Sequence, residues 1–257
     1  MTNYDSLAVL WPASERHPRD VGNAVRGAPG ARPAPGSPLH GDDLLATPFE
    51  LSAYAHGQLD RAHDLLDSWL PSIAACDEPE ASLDLDPEIW AAALLDALDS
   101  AVTAVWVLSP EERPIRVTHR LDLALNRFLE IGRILRYAGL PTDDIDEGVR
   151  QVAAVAREQG FRVTGHLPTR ALLQAAAGSS TPRDQLPMLR ALLDAAAHGD
   201  PDAMDLLCRI PVRPSRSSSA DAFPPSPSLG FRVALAAITS VVLYGETLYD
   251  AGRQAPR

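Results

Sequence analysis

The stretch from Ile89 to Leu108, IWAAALLDALDSAVTAVWVL, is apolar on almost every side of the helix that its composition predicts. Such a helix is stable in water only where other helices cover it, so it belongs in the middle of a bundle. Alanine and leucine carry most of the apolar content of the whole chain, and both are strong helix formers, whereas runs of β-branched residues are scarce. The sequence therefore predicts an all-α protein.

Helical periodicity continues on both sides of this stretch. Leu51–Ile73 and Val117–Leu135 place apolar side chains three and four residues apart, which predicts one buried stripe on each helix. A last helix is expected from Leu229 to about Ala251. We predict a single up-and-down style bundle of six or seven helices.

Composition divides the chain into four segments. Residues 1–43 are rich in proline and glycine and predict a disordered arm, and residues 44–210 form the bundle. Residues 211–228 are rich in proline and serine and predict a flexible linker. Because the segment 229–257 is too apolar to be stable in water alone, its helix is expected to pack back on the bundle.

Charge restricts the function. The chain has 34 acidic and 23 basic residues, a net charge of −11, so it repels a phosphate backbone unless its arginines share one face. All basic residues are arginine, which excludes lysine Schiff bases and the lysine of a P-loop. No cofactor is expected, and RNA remains an alternative partner that the charge disfavours.

The sequence also predicts a compartment. Cys76 and Cys208 match no metal-binding spacing and no disulfide framework, which favours the reducing cytoplasm. The N-terminus has no secretory signal, and the apolar stretch Val233–Tyr244 is judged too short to cross a bilayer. We expect a soluble, cytoplasmic protein without membrane contact.

One helix carries a basic stripe. Its members lie within about 60° of arc at 100° per residue. They are Arg113, Arg116, Arg120 and Arg127. Because arginine makes bidentate phosphate contacts, the stripe is a candidate phosphate site for RNA or a nucleotide. The alternative is pairing with carboxylates of neighbouring helices, such as Asp96, Asp99 or the cluster 143–147.

A second stripe has the side chains of a metal site. It consists of His56, Asp60, His63 and Asp67. Imidazoles and carboxylates ligate divalent metals, but the centre of this stripe lies about 110° from the apolar stripe of the same helix. It is therefore expected to face water mostly, and a metal would need ligands from another helix.

Two further features have a structural and a functional interpretation. Asp96 and Asp99 interrupt the apolar helix, either as partners of arginine, which we favour, or as an acid and base in a cleft. His198 precedes Gly199 and Asp200, so it either has a working role or, as we favour, stabilises a helix end before Asp200 caps the next helix.

The order of several motifs resembles a known group. AVWVLSP is followed by EERPIRVTHRLDLALNRFLEIGRILRYAGL, then REQGFRV, LLDAAAHGDPDAMDLL and an apolar closing helix. Across about residues 50–250 this resembles a group of uncharacterised actinobacterial helical proteins and, more distantly, the HEPN-type bundles. The latter include ribonucleases of toxin–antitoxin and phage-defence systems and non-catalytic partners, so the resemblance implies a HEPN-like fold.

The ribonuclease signature of that group is degenerate here. In HEPN ribonucleases, four to six residues separate an arginine from the histidine that follows it. A polar residue usually comes directly after the arginine. Arg190 and His198 have seven residues between them, and Arg113 and His119 have five, but Pro114 follows the arginine. The resemblance therefore implies a non-catalytic binding or regulatory module, with a homodimer or a protein partner bound through helices.

Two alternatives stay open at this point. The first is a metal-independent ribonuclease, with Arg113, His119 and His198 as its candidate catalytic residues. The second is a helical-bundle metalloenzyme that uses the stripe from His56 to Asp67.

Overall fold

The structure, a computed structural model, describes residues 33–75, 87–176, 185–209 and 228–255. These ranges contain nine helices and no strand, so the all-α prediction is confirmed for the described residues. The helices are α1 (Pro38–Ala46), α2 (Leu51–Ala75), α3 (Pro87–Leu108), α4 (Arg113–Tyr137), α5 (Asp143–Glu158), α6 (Thr169–Ala175), α7 (Gln185–Ala197), α8 (Pro201–Arg209) and α9 (Ser228–Arg253).

The expected count of six or seven helices is too low. The helix that the sequence did not suggest is α1, which begins inside the segment 1–43 that composition marked as a disordered arm. Pro38 stands in its first turn, and the Ser37 side chain accepts a hydrogen bond from the His40 backbone N–H at 3.3 Å. Residues 1–32 of the expected arm and most of the expected linker 211–228 lie outside the described residues.

Helix α3 lies in the middle of the larger of two hydrophobic cores. It packs against α2, α7 and α9, and Leu98 and Val105 are fully buried, as its all-round apolar sequence predicts. Helix α9 covers α3 and α2 with a face that includes Ile238 and Val242. The C-terminal helix therefore packs on the bundle.

Helices α4 and α5 form a second, smaller core. Val117, Leu121 and Phe128 of α4 meet Val152 of α5. Gly148 allows this close packing, because a Cβ atom there would lie 2.5 Å from the Phe128 ring. The described chain thus has two apolar clusters where the sequence suggested one bundle core.

A buried carboxylate on α1 connects this second core to the rest. Asp42 is fully buried and accepts hydrogen bonds from Arg116 Nε at 2.6 Å and Arg116 Nη2 at 3.1 Å. Arg113 Nε lies 3.2 Å from the same carboxylate. Arg116 Nη1 also donates to the backbone carbonyls of Pro110 and Glu111, so the turn before α4 is tied to the same cluster. These bonds fix where α4 begins.

Two described helices are long and apolar enough to cross a membrane by length and composition alone: Glu88–Leu108 and Val233–Arg253. The statement that the apolar C-terminal stretch is too short is therefore wrong, because the stretch belongs to the 26-residue helix α9. This is weak evidence for a membrane span, because the core helix of a soluble protein passes the same test. Two-thirds of the first segment is buried inside the protein, and one-third of the second.

We expect Asp42→Asn to lower the free energy of unfolding by about 3 kcal/mol, because it leaves two arginines facing a neutral amide in a buried site. Urea denaturation measures the loss. Asp64→Asn, on the exposed side of α2, is the control and should change stability little. Equal stabilities of the two variants would contradict the structural role of the ion cluster.

Candidate functional site

A cleft of about 440 Å³ opens at the junction of the two cores. Three parts of the chain surround it: the C-terminal end of α3, the first turns of α4, and the segment between α5 and α6. Its lining residues are Trp106, Pro114, Ile115, Thr118, His119, Asp122, Thr164, His166 and Pro168. Its volume lies in the range of small-molecule sites, about 300–1,000 Å³.

Asp122 organises the loop that forms one wall of the cleft. Its Oδ1 atom accepts hydrogen bonds from the backbone N–H groups of Thr164, at 2.6 Å, and Gly165, at 2.9 Å. Asn126 Nδ2, one turn further along α4, donates to the carbonyl of Gly165 at 2.9 Å. Gly165 has a φ of +65°, a conformation that glycine adopts without strain. The loop therefore holds His166 at the rim.

His119 forms a second wall by stacking on Trp106. The two rings are 3.8 Å apart at their centroids and 12° from parallel. His119 Nδ1 lies 3.0 Å from the backbone carbonyl oxygen of Trp106. Because a carbonyl oxygen can only accept, Nδ1 carries the proton, and Nε2 of the neutral ring is left as a hydrogen-bond acceptor.

Burial keeps this imidazole neutral. Burial lowers the pKa of His119 below the ordinary 6.5, and the hydrogen bond to Trp106 and the charge of Asp122 oppose the shift without cancelling it. The ring is therefore mostly uncharged at neutral pH. A neutral imidazole with a fixed tautomer can accept a hydrogen bond from a ligand, act as a base or ligate a metal.

The arginines of the sequence-predicted stripe make contacts within the protein. Arg116 is buried on Asp42, and Arg113, half exposed, is paired with the same carboxylate. Arg127 is exposed and lies 3.9 Å from Glu130 of its own helix. The stripe is therefore used mainly in ion pairs within the protein, which was the structural alternative. Its main partner is Asp42, which was not among the carboxylates expected from the sequence.

The fourth arginine of the stripe is part of the core. Arg120 is fully buried, with its guanidinium carbon 4.1 Å from the centre of the Tyr54 ring and 6.0 Å from that of Phe49. Its Nε donates to the carbonyl of Glu50 at 3.4 Å. Burial lowers the pKa of Arg120 to about 10, against the opposing effects of Tyr54 and Asp43, so it remains charged at neutral pH.

The proposed ribonuclease residues are not brought together around one arginine. Arg113 is directed to Asp42, whereas His119 is stacked on Trp106. His198 is exposed at the end of α7, where its Nδ1 lies 2.7 Å from the carbonyl oxygen of Asp194. His198 therefore occupies the helix end that the sequence indicated.

The turn after His198 has the expected capping chemistry. Gly199 has a φ of +77°, and Asp200 Oδ1 accepts hydrogen bonds from the backbone N–H groups of Asp202 and Ala203 in α8. By contrast, α4 begins without such a cap: Glu112 occupies its N-cap position and makes no side-chain capping hydrogen bond.

The histidine stripe on α2 is divided among separate partners. His56 Nε2 lies 3.3 Å from Asp60 and its ring stacks on Tyr249 of α9 at 5.5 Å. His63 Nε2 lies 2.7 Å from Glu246 Oε1, also on α9, and Asp67 is exposed. Within the described ranges, no group of three or more histidine, cysteine, aspartate or glutamate side chains could hold a metal ion.

The two aspartates of α3 are paired with arginine, as predicted. Arg61 Nη2 lies 3.0 Å from Asp96, and Arg190 binds Asp99 through Nε at 2.8 Å and Nη2 at 2.9 Å. Both carboxylates are more exposed than an apolar helix suggested, so neither is a buried acid or base.

Sequence reasoning found His119 but missed the rest of its site. Trp106, Asp122 and His166 come from three elements, and only the spacing of His119 and Asp122 on one helix, three residues apart, was a local signal. Comparison of the chain with protein-family models, with curated proteins and with solved structures finds no match. The HEPN resemblance therefore stays a prediction.

The tautomer of His119 is directly measurable. We expect ¹⁵N NMR at neutral pH to show a protonated Nδ1 and an unprotonated Nε2, because the Trp106 carbonyl fixes the proton. His119→Gln assigns the signal by its loss. A protonated Nε2 in the neutral ring would contradict the hydrogen bond.

Stability should also depend on this group. Because the folded-state pKa of His119 lies below 6.5, the unfolded chain binds the proton first as the pH falls, and the free energy of unfolding decreases from about pH 6.5 downwards. Above that pH the group contributes no slope. Urea denaturation at about pH 7 and pH 5 should show a smaller loss for His119→Gln than for the unmodified protein. His198→Gln, which changes an exposed imidazole, is the control and should keep the full loss.

Proposed function

We propose that the protein is a non-catalytic binding module of the cytoplasm, HEPN-like in type, that holds a small ligand in the cleft between its two cores. The observation that carries this proposal is His119, a neutral imidazole with a fixed tautomer, stacked on Trp106 in the wall of an open cleft. Pre-positioned polar groups in a largely apolar cleft are typical of ligand sites.

The arrangement favours binding over catalysis. A general base needs a partner that stabilises the charge developing on the substrate. The described residues that line the cleft include no arginine, and the chain has no lysine. Thr118 and His166 can orient a ligand, but Asp122 carries the same negative charge as a developing oxyanion. These features support a module that recognises a molecule without transforming it.

The same charges weigh against the ribonuclease alternative. An RNA phosphate would approach a carboxylate in a protein of net charge −11. Incubation with a labelled RNA oligonucleotide tests this alternative. RNA cleavage that His119→Ala abolishes would replace the binding function with a ribonuclease.

The cleft is tested by filling it. Thr118→Trp places a large ring in the cleft, whereas Thr247→Trp adds the same ring on the exposed side of α9. In ligand-observed NMR with a library of cationic, neutral and anionic fragments, we expect binders whose affinity falls at least about tenfold in Thr118→Trp, as a lost contact surface implies. Thr247→Trp should bind as the unmodified protein does.

Two results would overturn the proposal. If no fragment of any charge binds, or if every binder is retained by Thr118→Trp, the cleft is not a ligand site. Unfolding experiments on both variants confirm that the comparison is made between folded proteins.

A further inference from the structure

We propose that the ligand of the cleft is a small organic cation, an ammonium or amidinium group attached to an apolar body. This inference rests on the proposed binding function and specifies the ligand's charge. It is carried by the two acceptors in the cleft, one oxygen of Asp122 and one nitrogen of His119, and by the absence of arginine among the described lining residues of a chain that has no lysine.

The carboxylate of Asp122 is the first recognition group. The residue is only 8% exposed, and its Oδ1 atom is occupied by the backbone N–H groups of Thr164 and Gly165. Its Oδ2 atom accepts no hydrogen bond from the residues that the structure describes. Oδ2 is not among the buried atoms that lack a partner, so it is open to the cleft, where a cation with N–H donors can bind it by a charge-assisted hydrogen bond.

His119 provides the second acceptor. Its Nδ1–H is committed to the Trp106 carbonyl, so Nε2 can only accept while the ring is neutral. His119 is three residues before Asp122 on α4, which places the two side chains on the same side of the helix. An ammonium group has several N–H donors and no acceptor, so it can serve both side chains, whereas an ionised carboxylate has no donor and can serve neither.

The remaining lining selects an apolar body. Ile115, Pro114 and Pro168 contribute aliphatic surface, and Trp106 contributes an indole that is stacked on His119. Three arginines adjoin lining residues in sequence, and none of them lines the cleft. Arg113 and Arg116 are paired with Asp42, and Arg120 lies over the Tyr54 ring. The site therefore combines a carboxylate with largely apolar walls.

Three probes of one shape separate charge from shape. Benzylamine is a cation at about pH 7, benzyl alcohol is neutral and benzoate is an anion. By NMR titration of the full chain, we expect benzylamine to bind about tenfold more tightly than benzyl alcohol, the value of one charged hydrogen bond, and benzoate to bind most weakly. All three should compete for the cleft that Thr118→Trp fills.

Asp122→Asn then removes the charge and keeps the loop. The asparagine Oδ1 can still accept from the two backbone N–H groups, whereas Oδ2 becomes an N–H donor. We expect the preference for benzylamine over benzyl alcohol to disappear. Asp144→Asn, which removes an exposed carboxylate of α5, controls for net charge and should keep the preference.

The outcomes separate the two proposals. If benzyl alcohol, benzoate or anionic fragments bind the cleft as well as benzylamine does, the cation inference is wrong and the binding function stands. If Asp122→Asn keeps the preference, Asp122 is not the recognition group and the inference also fails. If no probe and no library fragment binds, the binding function itself is wrong. If Asp122→Asn does not fold, the affinities of benzylamine, benzyl alcohol and benzoate for the unmodified protein still decide whether the cleft prefers a cation.

Discussion

The buried ion cluster of Asp42 determines how the two cores meet. α1 contributes Leu39 to the larger core and Ala46 to the smaller one, and Asp42 lies between these two residues. Its bonds to Arg116 fix the first turns of α4, where the cleft residues Thr118 and His119 also lie. A buried carboxylate is tolerated here because the guanidinium satisfies both of its oxygens. The geometry of the cleft therefore depends on a residue that touches no ligand.

Arginine is suited to this arrangement in a way that lysine is not. A guanidinium has five N–H donors in a plane, so Arg116 can bind a carboxylate and two carbonyls together. The same planarity lets Arg120 lie over the Tyr54 ring inside the protein. Because Arg116 and Arg120 are buried, they contribute little positive surface. None of the described arginines lines the cleft, so the carboxylate of Asp122 has no arginine beside it among the lining residues.

Periodicity predicted what depends on one helix and its nearest core. The stripe from Val117 to Ile131 is buried as expected, and the turn at Gly199 ends one helix and begins the next. Asp96 and Asp99 could be assigned to arginine pairs because an isolated buried charge is too costly. In each of these cases, the evidence lay within one turn or one helical face.

What the sequence did not predict depends on contacts between distant segments. α1 was missed because the composition around it is rich in proline and glycine, while its burial depends on Leu39 packing on another element. The arginine stripe was interpreted against a single core, so the second core, which turns Arg116 and Arg120 inward, was not foreseen. The cleft was missed for the same reason.

The cleft lies where the two cores meet, so a ligand of the proposed binding function would contact both. The segment from α5 to α6 begins on the smaller core, where Phe161 and Val163 pack, and ends on the larger one, where Leu167 packs. Asp122 holds the middle of that segment through two backbone N–H groups. A ligand on Asp122 would contact groups attached to both cores, and binding to the folded arrangement alone would stabilise it by mass action. Because such coupling needs no chemical step, binding alone would hold α4 and α5 more firmly against the rest of the molecule.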